Sequence, residues 1–215
     1  MKIFKSIEEF IISKSGLGKL TFIPTMGNLH HGHLSLIQRA SSETKRIVTI
    51  YVNRLQFDQI DDFKSYPKSY DHDIELCKKN NVDIVFIPNE EILIEESELK
   101  IDLPKFTKHL CGKYRKGHFL GVYKIIRELF RIFHPDFACF GKKDYQQLLL
   151  IKYITKTFYP DIKIISVDTV RNKNNIALSS RLNKLTPESL KKAEMIYNSI
   201  SMIKDKLHNG KNFED

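Results

Sequence analysis

Short apolar runs alternate along the chain with longer segments in which apolar residues recur every three or four positions. The runs predict five buried strands, and Pro24 ends the first of them. These strands are predicted at residues 20–23, 46–52, 82–87, 137–140 and 162–167. The helical pattern begins near residue 34 and recurs over residues 70–79, 118–133 and 144–158. Strands that alternate with helices form βαβ units, so the pattern predicts an α/β fold with a parallel sheet.

The last helical pattern begins at Thr186, a good N-cap residue, and Pro187 follows at the first helical position. One face of this helix is apolar and consists of Leu190, Ala193, Ile196, Tyr197, Ile200 and Ile203. A single helix cannot form a domain. We therefore predict a main domain over residues 1–185, followed over residues 186–215 by the incomplete beginning of a smaller C-terminal α+β lid domain.

One segment, residues 89–104, fits neither pattern. It places isolated isoleucines and leucines among the acidic residues Glu90, Glu91, Glu95, Glu96 and Glu98. We expect a lid or an edge of the sheet here.

Composition narrows the class of protein without changing this fold. Hydrophobic residues make up 41% of the chain and charged residues 28%, which is ordinary for a soluble globular protein. Three unpatterned cysteines fit a reducing cytoplasm, and the first residues have no signal-peptide core. No apolar run approaches the length of a membrane span. We expect a cytoplasmic protein that does not act at a membrane.

The basic balance is a weak signal. The chain has 35 lysines and arginines against 26 acidic residues, a formal net charge of +9. Such a charge favours polyanions, but the lysines are spread along the chain with no stripe and little aromatic interleaving. A solvated lysine-rich surface explains them at least as well, so we expect no nucleic-acid partner.

The strongest candidate for chemistry is the junction between the first strand and its helix. Gly27 permits a tight turn, and His30 and His33 then flank Gly32. A helix N-terminus with unpaired N–H groups next to a residue without a side chain favours an anion. Two histidines three residues apart are also found on ordinary surface turns or in partial metal sites. The cysteines that would complete a zinc site are scattered singly, so phosphate binding is favoured.

Other polar groups follow the remaining strands. The carboxyl ends of parallel strands form the ligand-binding rim of an open sheet. The polar stretches at these ends are residues 25–33, 53–57, 141–147 and 171–181. Cationic and hydroxyl side chains there suit a triphosphate, because each hydrogen bond to a charged group contributes about 1.5–3 kcal/mol.

Gln56 and Gln147 offer a different chemistry. Neutral amides orient a small polar substrate without neutralising a reacting carboxylate. A glutamine is more often a surface residue than a ligand-binding residue. These two are candidates for substrate binding only because both follow the end of a strand.

Taken together, these stretches resemble the pantoate–β-alanine ligase (pantothenate synthetase) family of the cytidylyltransferase-like nucleotidyltransferase superfamily. The resemblance runs from about residue 1 to about residue 200. Its motifs are PTMGNLHHGHLSLI at residues 24–37, VNRLQF at 52–57, DDFKSYP at 61–67, LCGKYRKGHFLGV at 110–122, FGKKDYQQL at 140–148 and LSSR at 178–181. The HxGH motif alone would indicate only the superfamily.

The resemblance implies a Rossmann-like, doubly wound parallel sheet with helices on both faces. It also implies a homodimer and a two-step reaction with magnesium. ATP and pantoate would give pantoyl adenylate and pyrophosphate, and β-alanine would then attack the adenylate to give pantothenate and AMP.

The resemblance also implies a role for each residue that matches a motif. His30, His33 and Lys143 would be catalytic, with His33 as a proton donor. Pantoate would be held by Gln56 and Gln147, and β-alanine would lie against Gln56 and Asn53. ATP would contact Met26, Gly27, His30, Gly32, His33, Gly141, Lys143, Asp144, Val170, Leu178, Ser179, Ser180 and Arg181, with Asp144 at the ribose and Val170 at the adenine. No magnesium ligand is identified.

Several positions depart from the family pattern, although none of them is a residue to which a role is assigned above. These positions are Arg54, Lys116, Lys142, the run from Asn174 to Ile176, and Leu182. The alternatives to the ligase are a nucleotidyltransferase that stops at transfer to a phosphate ester and a non-catalytic nucleic-acid-binding protein. The glutamines argue against the first alternative, and the scattered lysines give little support to the second.

Overall fold

The structure is a computed structural model that describes residues 1–89, 92, 102–210 and 212. Glu90, Glu91, Glu95, Glu96 and Glu98, which belong to the predicted lid or sheet edge, lie outside the described residues.

A parallel sheet forms the centre of the molecule, and it contains six strands in the order β1-β4-β3-β2-β5-β6. The strands are β1 (Lys2–Phe4), β2 (Leu20–Thr25), β3 (Lys45–Ile50), β4 (Ile84–Phe86), β5 (Phe137–Gly141) and β6 (Lys163–Val167). The five predicted strands are confirmed. β1 was not predicted, because a three-residue edge strand shows no recognisable run.

The helices cover both faces of the sheet. They are α1 (Ile7–Ser13), α2 (His31–Arg39), α3 (Ile60–Lys64), α4 (Tyr70–Lys79), α5 (Cys111–Tyr114), α6 (His118–Phe133), α7 (Tyr145–Phe158) and α8 (Pro187–His208). The helices predicted from periodicity are confirmed, while the short helices α1, α3 and α5 were not predicted. The Rossmann-like, doubly wound architecture expected from the family resemblance is therefore present.

Alternate residues of the strands point to opposite faces of the sheet. Phe22 and Ile47 belong to the core under α1, α6 and α7, where the Phe22 ring lies 5.2 Å from that of Phe133. Ile23 and Val48 belong to the core under α2 and α4. Because both faces are covered, these strands read as continuous apolar runs and not as an alternating pattern.

The prediction that Pro24 ends its strand was wrong, since β2 continues to Thr25. The backbone nitrogen of Pro24 faces the same neighbouring strand as the backbone of Leu20. That neighbour is β5, because the Leu20 carbonyl accepts a hydrogen bond from Asp136 N–H, just before β5. The register pairs with β5 are Thr21–Phe137 and Phe22–Ala138, so Pro24 lies beyond them. Its missing N–H therefore interrupts no pair there, which is how a central strand tolerates proline.

The C-terminal helix α8 begins as predicted, because the Thr186 hydroxyl accepts a hydrogen bond from Ser189 N–H at 3.2 Å. Its predicted apolar face is largely exposed: Ile196 is 63% exposed and Ile200 is 53% exposed. Tyr197 contacts the rest of the chain through Arg171, whose guanidinium lies 4.3 Å from the ring centroid. The division into two domains stays a prediction. None of the helices in the described ranges combines the length and apolar character needed to cross a bilayer.

The strand order reverses direction in the middle of the sheet. From β2 the chain adds β3 and then β4 toward one edge, whereas β5 and β6 extend toward the other. β2 and β5 are neighbours, so their carboxyl ends flank the point of reversal. Crevices at such a switch point are the usual ligand sites of open α/β sheets.

Candidate active site

A cavity of about 340 Å³ opens at this switch point. All of the predicted site residues except Gly27 line it: Met26, His30, Gly32, His33, Asn53, Gln56, Gly141, Lys143, Asp144, Gln147, Val170, Leu178, Ser179, Ser180 and Arg181. The structure thus brings together segments that are far apart in the sequence, as the strand-end positions predict.

Gly27 is buried beside the cavity and shapes the loop between β2 and α2. Its φ of +79° is in the left-handed region, and an added Cβ would lie 2.9 Å from Ile50 Cγ2 and 3.0 Å from Asp73 Oδ2. This position therefore requires glycine for the turn and for the close approach of its neighbours.

His30 and His33 cap the N-terminus of α2 reciprocally. His30 Nδ1 accepts from Gly32 N–H at 3.1 Å, and His33 Nδ1 accepts from His30 N–H at 3.3 Å. The two ring centroids are 4.1 Å apart. Because each Nδ1 is an acceptor, each neutral ring carries its proton on Nε2. The cap therefore leaves two Nε2–H groups as hydrogen-bond donors.

Both histidines are held in the neutral form. Burial lowers the pKa of His33 to about 3, with smaller contributions from the charge that His30 carries when it is protonated and from the charge of Lys143. Burial also lowers the pKa of His30, followed by the charges of Lys143 and His31. At pH 7 the unliganded site thus offers neutral imidazole donors, and the role of His33 as a proton donor stays a prediction.

Gly32 lies directly under the His30 ring. A Cβ at this position would be 2.8 Å from His30 Cε1 and 3.0 Å from His30 Nδ1. Any side chain here would displace the imidazole, so the glycine of the HxGH motif is required by the shape of the cap.

The end of β5 supplies a lysine to the cavity. A 3-10 turn, Lys142–Asp144, follows the strand, and Lys143 Nζ lies 3.8 Å from Asp144 Oδ2. Lys142 instead pairs with Asp168 after β6, at 2.6 Å. Of the two lysines, only Lys143 lines the cavity, which fits the phosphate-binding role predicted for it.

The end of β3 supplies amides. Asn53 is only 2% exposed, and its Nδ2 donates to Gln56 Oε1 at 3.2 Å and to Gly121 O at 3.1 Å. Gln56 Nε2 in turn contacts Met26 Sδ at 3.0 Å. Asn53 therefore fixes the orientation of Gln56, and its predicted contact with β-alanine stays a prediction. Within the described part of the chain, the Gln147 side chain has no hydrogen-bond partner and is free for a ligand.

Residues 178–181 line the cavity next to the loop that leads into α2, where Ser180 contacts Asn28. Arg181 Nη2 lies 2.7 Å from Asp62 Oδ2 in α3, and its guanidinium stacks near the rings of Phe57 and Tyr66. The hydrogen bond from Arg181 is the main cause that lowers the pKa of Asp62. Sequence reasoning missed Asp62, although its DDFKSYP segment was part of the resemblance.

Sequence reasoning also missed Arg115 and His118, which line the cavity from the segment that leads into α6. His118 Nδ1 is 2.8 Å from Gln56 O, and Arg115 Nη1 is 3.2 Å from His118 Nε2. Burial lowers the pKa of His118. The matching KGHF stretch was the available signal, and the structure connects it to the backbone of Gln56.

Thr49 is a further residue that the sequence did not single out. It is 1% exposed, lies near the end of β3 and lines the cavity. Its Oγ1 has no hydrogen-bond partner among the described residues. A buried hydroxyl without a partner is costly, so this atom is a sensitive point of the site.

Two departures from the family pattern have local partners. Arg54 places its guanidinium 5.5 Å from the Phe63 ring centroid and donates to Phe57 O at 3.2 Å. Lys142 forms the ion pair with Asp168 described above. Neither side chain belongs to the cavity lining, but each contacts a residue that does, Phe57 for Arg54 and Asp168 for Lys142.

Comparison with known proteins identifies the family. The sequence profile described as pantoate-beta-alanine ligase matches residues 2–215. A pantothenate synthetase from Neisseria meningitidis serogroup C is 41% identical over 213 residues, which are 98% of this chain and 77% of that protein. This chain belongs to the pantoate–β-alanine ligase family.

Solved structures of the family have the same fold. The crystal structure of pantothenate synthetase from Thermus thermophilus matches with a TM-score of 0.89 at 33% identity, over 98% of this chain and 77% of that chain. The pantoate-beta-alanine ligase from Francisella tularensis, complexed with beta-gamma ATP and beta-alanine, matches with a TM-score of 0.84 at 38% identity, over 92% of this chain and 78% of that chain. The chain is thus an enzyme of the pantothenate synthetase class.

Proposed function

We propose that this chain condenses pantoate with β-alanine in an ATP-dependent reaction that passes through pantoyl adenylate and releases pyrophosphate and AMP. One observation carries the proposal: a single cavity joins the neutral histidine pair, Lys143 and residues 178–181 to the uncharged amides of Gln56 and Gln147. Donors for phosphate and neutral groups for a small acid thus share one site.

ATP would lie across the switch point. Its phosphates would accept hydrogen bonds from Nε2–H of His30 and His33, from Lys143 and from the serines and arginine of residues 178–181. The N-terminus of α2 adds its dipole and N–H groups. Val170 would meet the adenine through its backbone, whose carbonyl also accepts from Leu178 N–H at 3.0 Å. Asp144 would bind the ribose.

Pantoate would lie beyond the α-phosphate, between Gln56 and Gln147. This part of the cavity is apolar on the side of α6, where it is lined by Val122, Ile125, Ile126 and Leu129. An apolar wall suits the alkyl part of the substrate, while the amides suit its hydroxyl groups. Neither glutamine neutralises the carboxylate that must attack.

The chemistry then needs alignment and charge stabilisation. A pantoate carboxylate oxygen forms a bond to the α-phosphorus, and the bond from that phosphorus to pyrophosphate breaks. The β-alanine nitrogen next attacks the acyl carbon, the bond to AMP breaks, and the amine loses a proton. His30, His33 and Lys143 would stabilise the charge on the phosphates in the first step.

Magnesium is part of the proposal, and the donor set fits it. Mg²⁺ in ATP sites is held by phosphate oxygens with one or two carboxylates. Asp168, which pairs with Lys142, is the carboxylate of the cavity lining that is not already assigned to the ribose. Within the described residues, no group of three or more histidine, cysteine or acidic side chains forms a metal site, so most ligands would come from ATP and water.

We also propose a homodimer in the cytoplasm, with a main domain over residues 1–185 and a C-terminal domain that begins at residue 186. Cys77, Cys111 and Cys139 are free thiols, which fits a reducing compartment. Light scattering coupled to size exclusion would measure the oligomeric state, and a monomer at micromolar concentration would contradict the dimer.

The decisive experiment is exchange of labelled pyrophosphate into ATP, measured with and without pantoate. We expect exchange only with pantoate, and its loss in His33→Ala with an unchanged circular dichroism spectrum. Exchange without pantoate would favour the related nucleotidyltransferase, and no exchange in intact wild-type protein would refute the ligase.

A further inference from the structure

Asp73 is a fully buried carboxylate that lies outside the cavity lining. It belongs to α4, is 0% exposed, and accepts hydrogen bonds from Asn28 N–H at 2.8 Å and Leu29 N–H at 2.7 Å. The Ser69 hydroxyl donates to it at 3.2 Å. A buried charge is tolerated only when it is paired or hydrogen-bonded, and here two backbone N–H groups of the loop between β2 and α2 supply two of the three donors.

Asn28 connects this carboxylate to residues 178–181, which also line the cavity. Its φ of +50° puts it in the left-handed region, a strained conformation that Asn tolerates better than most residues. Its Nδ2 donates to Ser180 O at 3.4 Å, and the Ser180 hydroxyl donates to Asn28 O at 3.2 Å. Asp73, Asn28 and Ser180 therefore form a continuous chain of contacts between α4 and residues 178–181.

We propose that Asp73 is a positioning residue for the nucleotide: it holds the loop that begins the α2 cap and, through Asn28, sets the spacing between that loop and residues 178–181. The inference rests on the proposed function, because it assigns ATP to these two walls. Gln147 belongs to α7 and Gln56 to the turn after β3, and the hydrogen bonds that Asp73 forms among the described residues reach neither element. Pantoate binding should therefore depend much less on Asp73 than ATP binding does. The proposal thus predicts a selective effect on ATP.

The matched variants are Asp73→Asn and Asp71→Asn. Asparagine keeps the size of Asp73 but turns an amide NH₂ toward a backbone N–H that now has no acceptor. Asp71 lies on the same helix and is exposed, so Asp71→Asn removes one negative charge without disturbing the contacts of Asp73. We expect Asp73→Asn to raise the KM for ATP about tenfold or more, with the pantoate KM changed less than about twofold, since a lost charged hydrogen bond is of that order. Asp71→Asn should change neither.

This split separates positioning from a general structural role. A variant that merely folded less well would lose active fraction and kcat while both KM values stayed the same. Equal rises in the two KM values, or an ATP KM within about twofold of wild type in folded Asp73→Asn, would overturn the proposal.

Two further variants decide the case if Asp73→Asn does not fold. Asn28→Gly keeps the backbone donor and the left-handed conformation but removes the Nδ2 contact with Ser180, and Ser69→Ala removes one donor to Asp73. Each should raise the ATP KM about threefold or more at an unchanged pantoate KM. If neither variant changes the ratio of the two KM values, the proposal is wrong.

Hydrogen exchange gives a readout that does not depend on catalysis. Residues 26–33 and 178–181 should exchange faster in Asp73→Asn than in Asp71→Asn, while α7 exchanges at the same rate in both. If wild-type protein shows no pantoate-dependent exchange of pyrophosphate into ATP, the proposed function fails whatever the hydrogen-exchange rates are. If wild type is active, and residues 26–33 and 178–181 exchange hydrogen in Asp73→Asn at the same rates as in Asp71→Asn, only the positioning role fails.

Discussion

His33 should make the folded protein sensitive to acid. Burial, with the charges of His30 and Lys143, lowers its pKa from 6.5 to about 3. Between these two pH values the unfolded chain binds a proton that the folded chain does not. Folding stability therefore falls as the pH falls from 6.5 toward 3, and the loss is complete below the folded pKa. At pH 4.5, two pH units below 6.5, the loss is about 2–3 kcal/mol after allowance for partial solvent contact.

The perturbation that isolates this effect is His33→Gln, which keeps a hydrogen-bonding side chain without a titrating proton. Urea unfolding followed by circular dichroism at pH 7.5 and pH 4.5 gives the free energy of unfolding of each protein. The fall between the two pH values should be smaller in His33→Gln than in wild type by about 2–3 kcal/mol. Carboxylates and His30 titrate in both proteins and largely cancel in this difference.

The control is His208→Gln, because His208 is exposed on α8. It should show the same fall as wild type. If His33→Gln also loses as much stability as wild type on acidification, His33 titrates like a solvated histidine, and the neutral, buried cap is refuted.

Two other substitutions test residues that line the cavity, one through pantoate binding and one through stability. Gln147→Ala should raise the pantoate KM about tenfold with little change in the ATP KM, because the unpaired amide of Gln147 is expected to bind only pantoate. Steady-state kinetics measures both constants, and an equal rise in the two KM values would contradict this role. Thr49→Val replaces a buried hydroxyl that has no hydrogen-bond partner among the described residues. We therefore expect the free energy of unfolding, measured in urea, to increase by about 1 kcal/mol. A decrease would mean that the hydroxyl forms a hydrogen bond in the folded protein.

Local patterns determined much of this protein. The apolar spacing of α6 and the stop at His134 predicted its bounds, because a long amphipathic helix repeats the same signal over several turns. Thr186 likewise marked the start of α8, since an N-cap acts within one turn. The strand-end positions of His33, Lys143 and Gln147 predicted one shared site, because parallel strands bring their carboxyl ends to one rim.

The tertiary structure decided what depends on partners far away in the chain. Asp73 reads as an ordinary acidic residue of a polar helix, yet it is buried against Asn28 and Leu29 across the loop. Ile200 belongs to the apolar face of α8, yet it is exposed. The spacing of apolar residues along a helix shows which face is apolar but does not show whether another element covers that face. Periodicity reports the local geometry of the backbone. The pairing of a carboxylate with N–H groups 44 or more positions away depends on how the crossovers stack the elements, which no local pattern encodes.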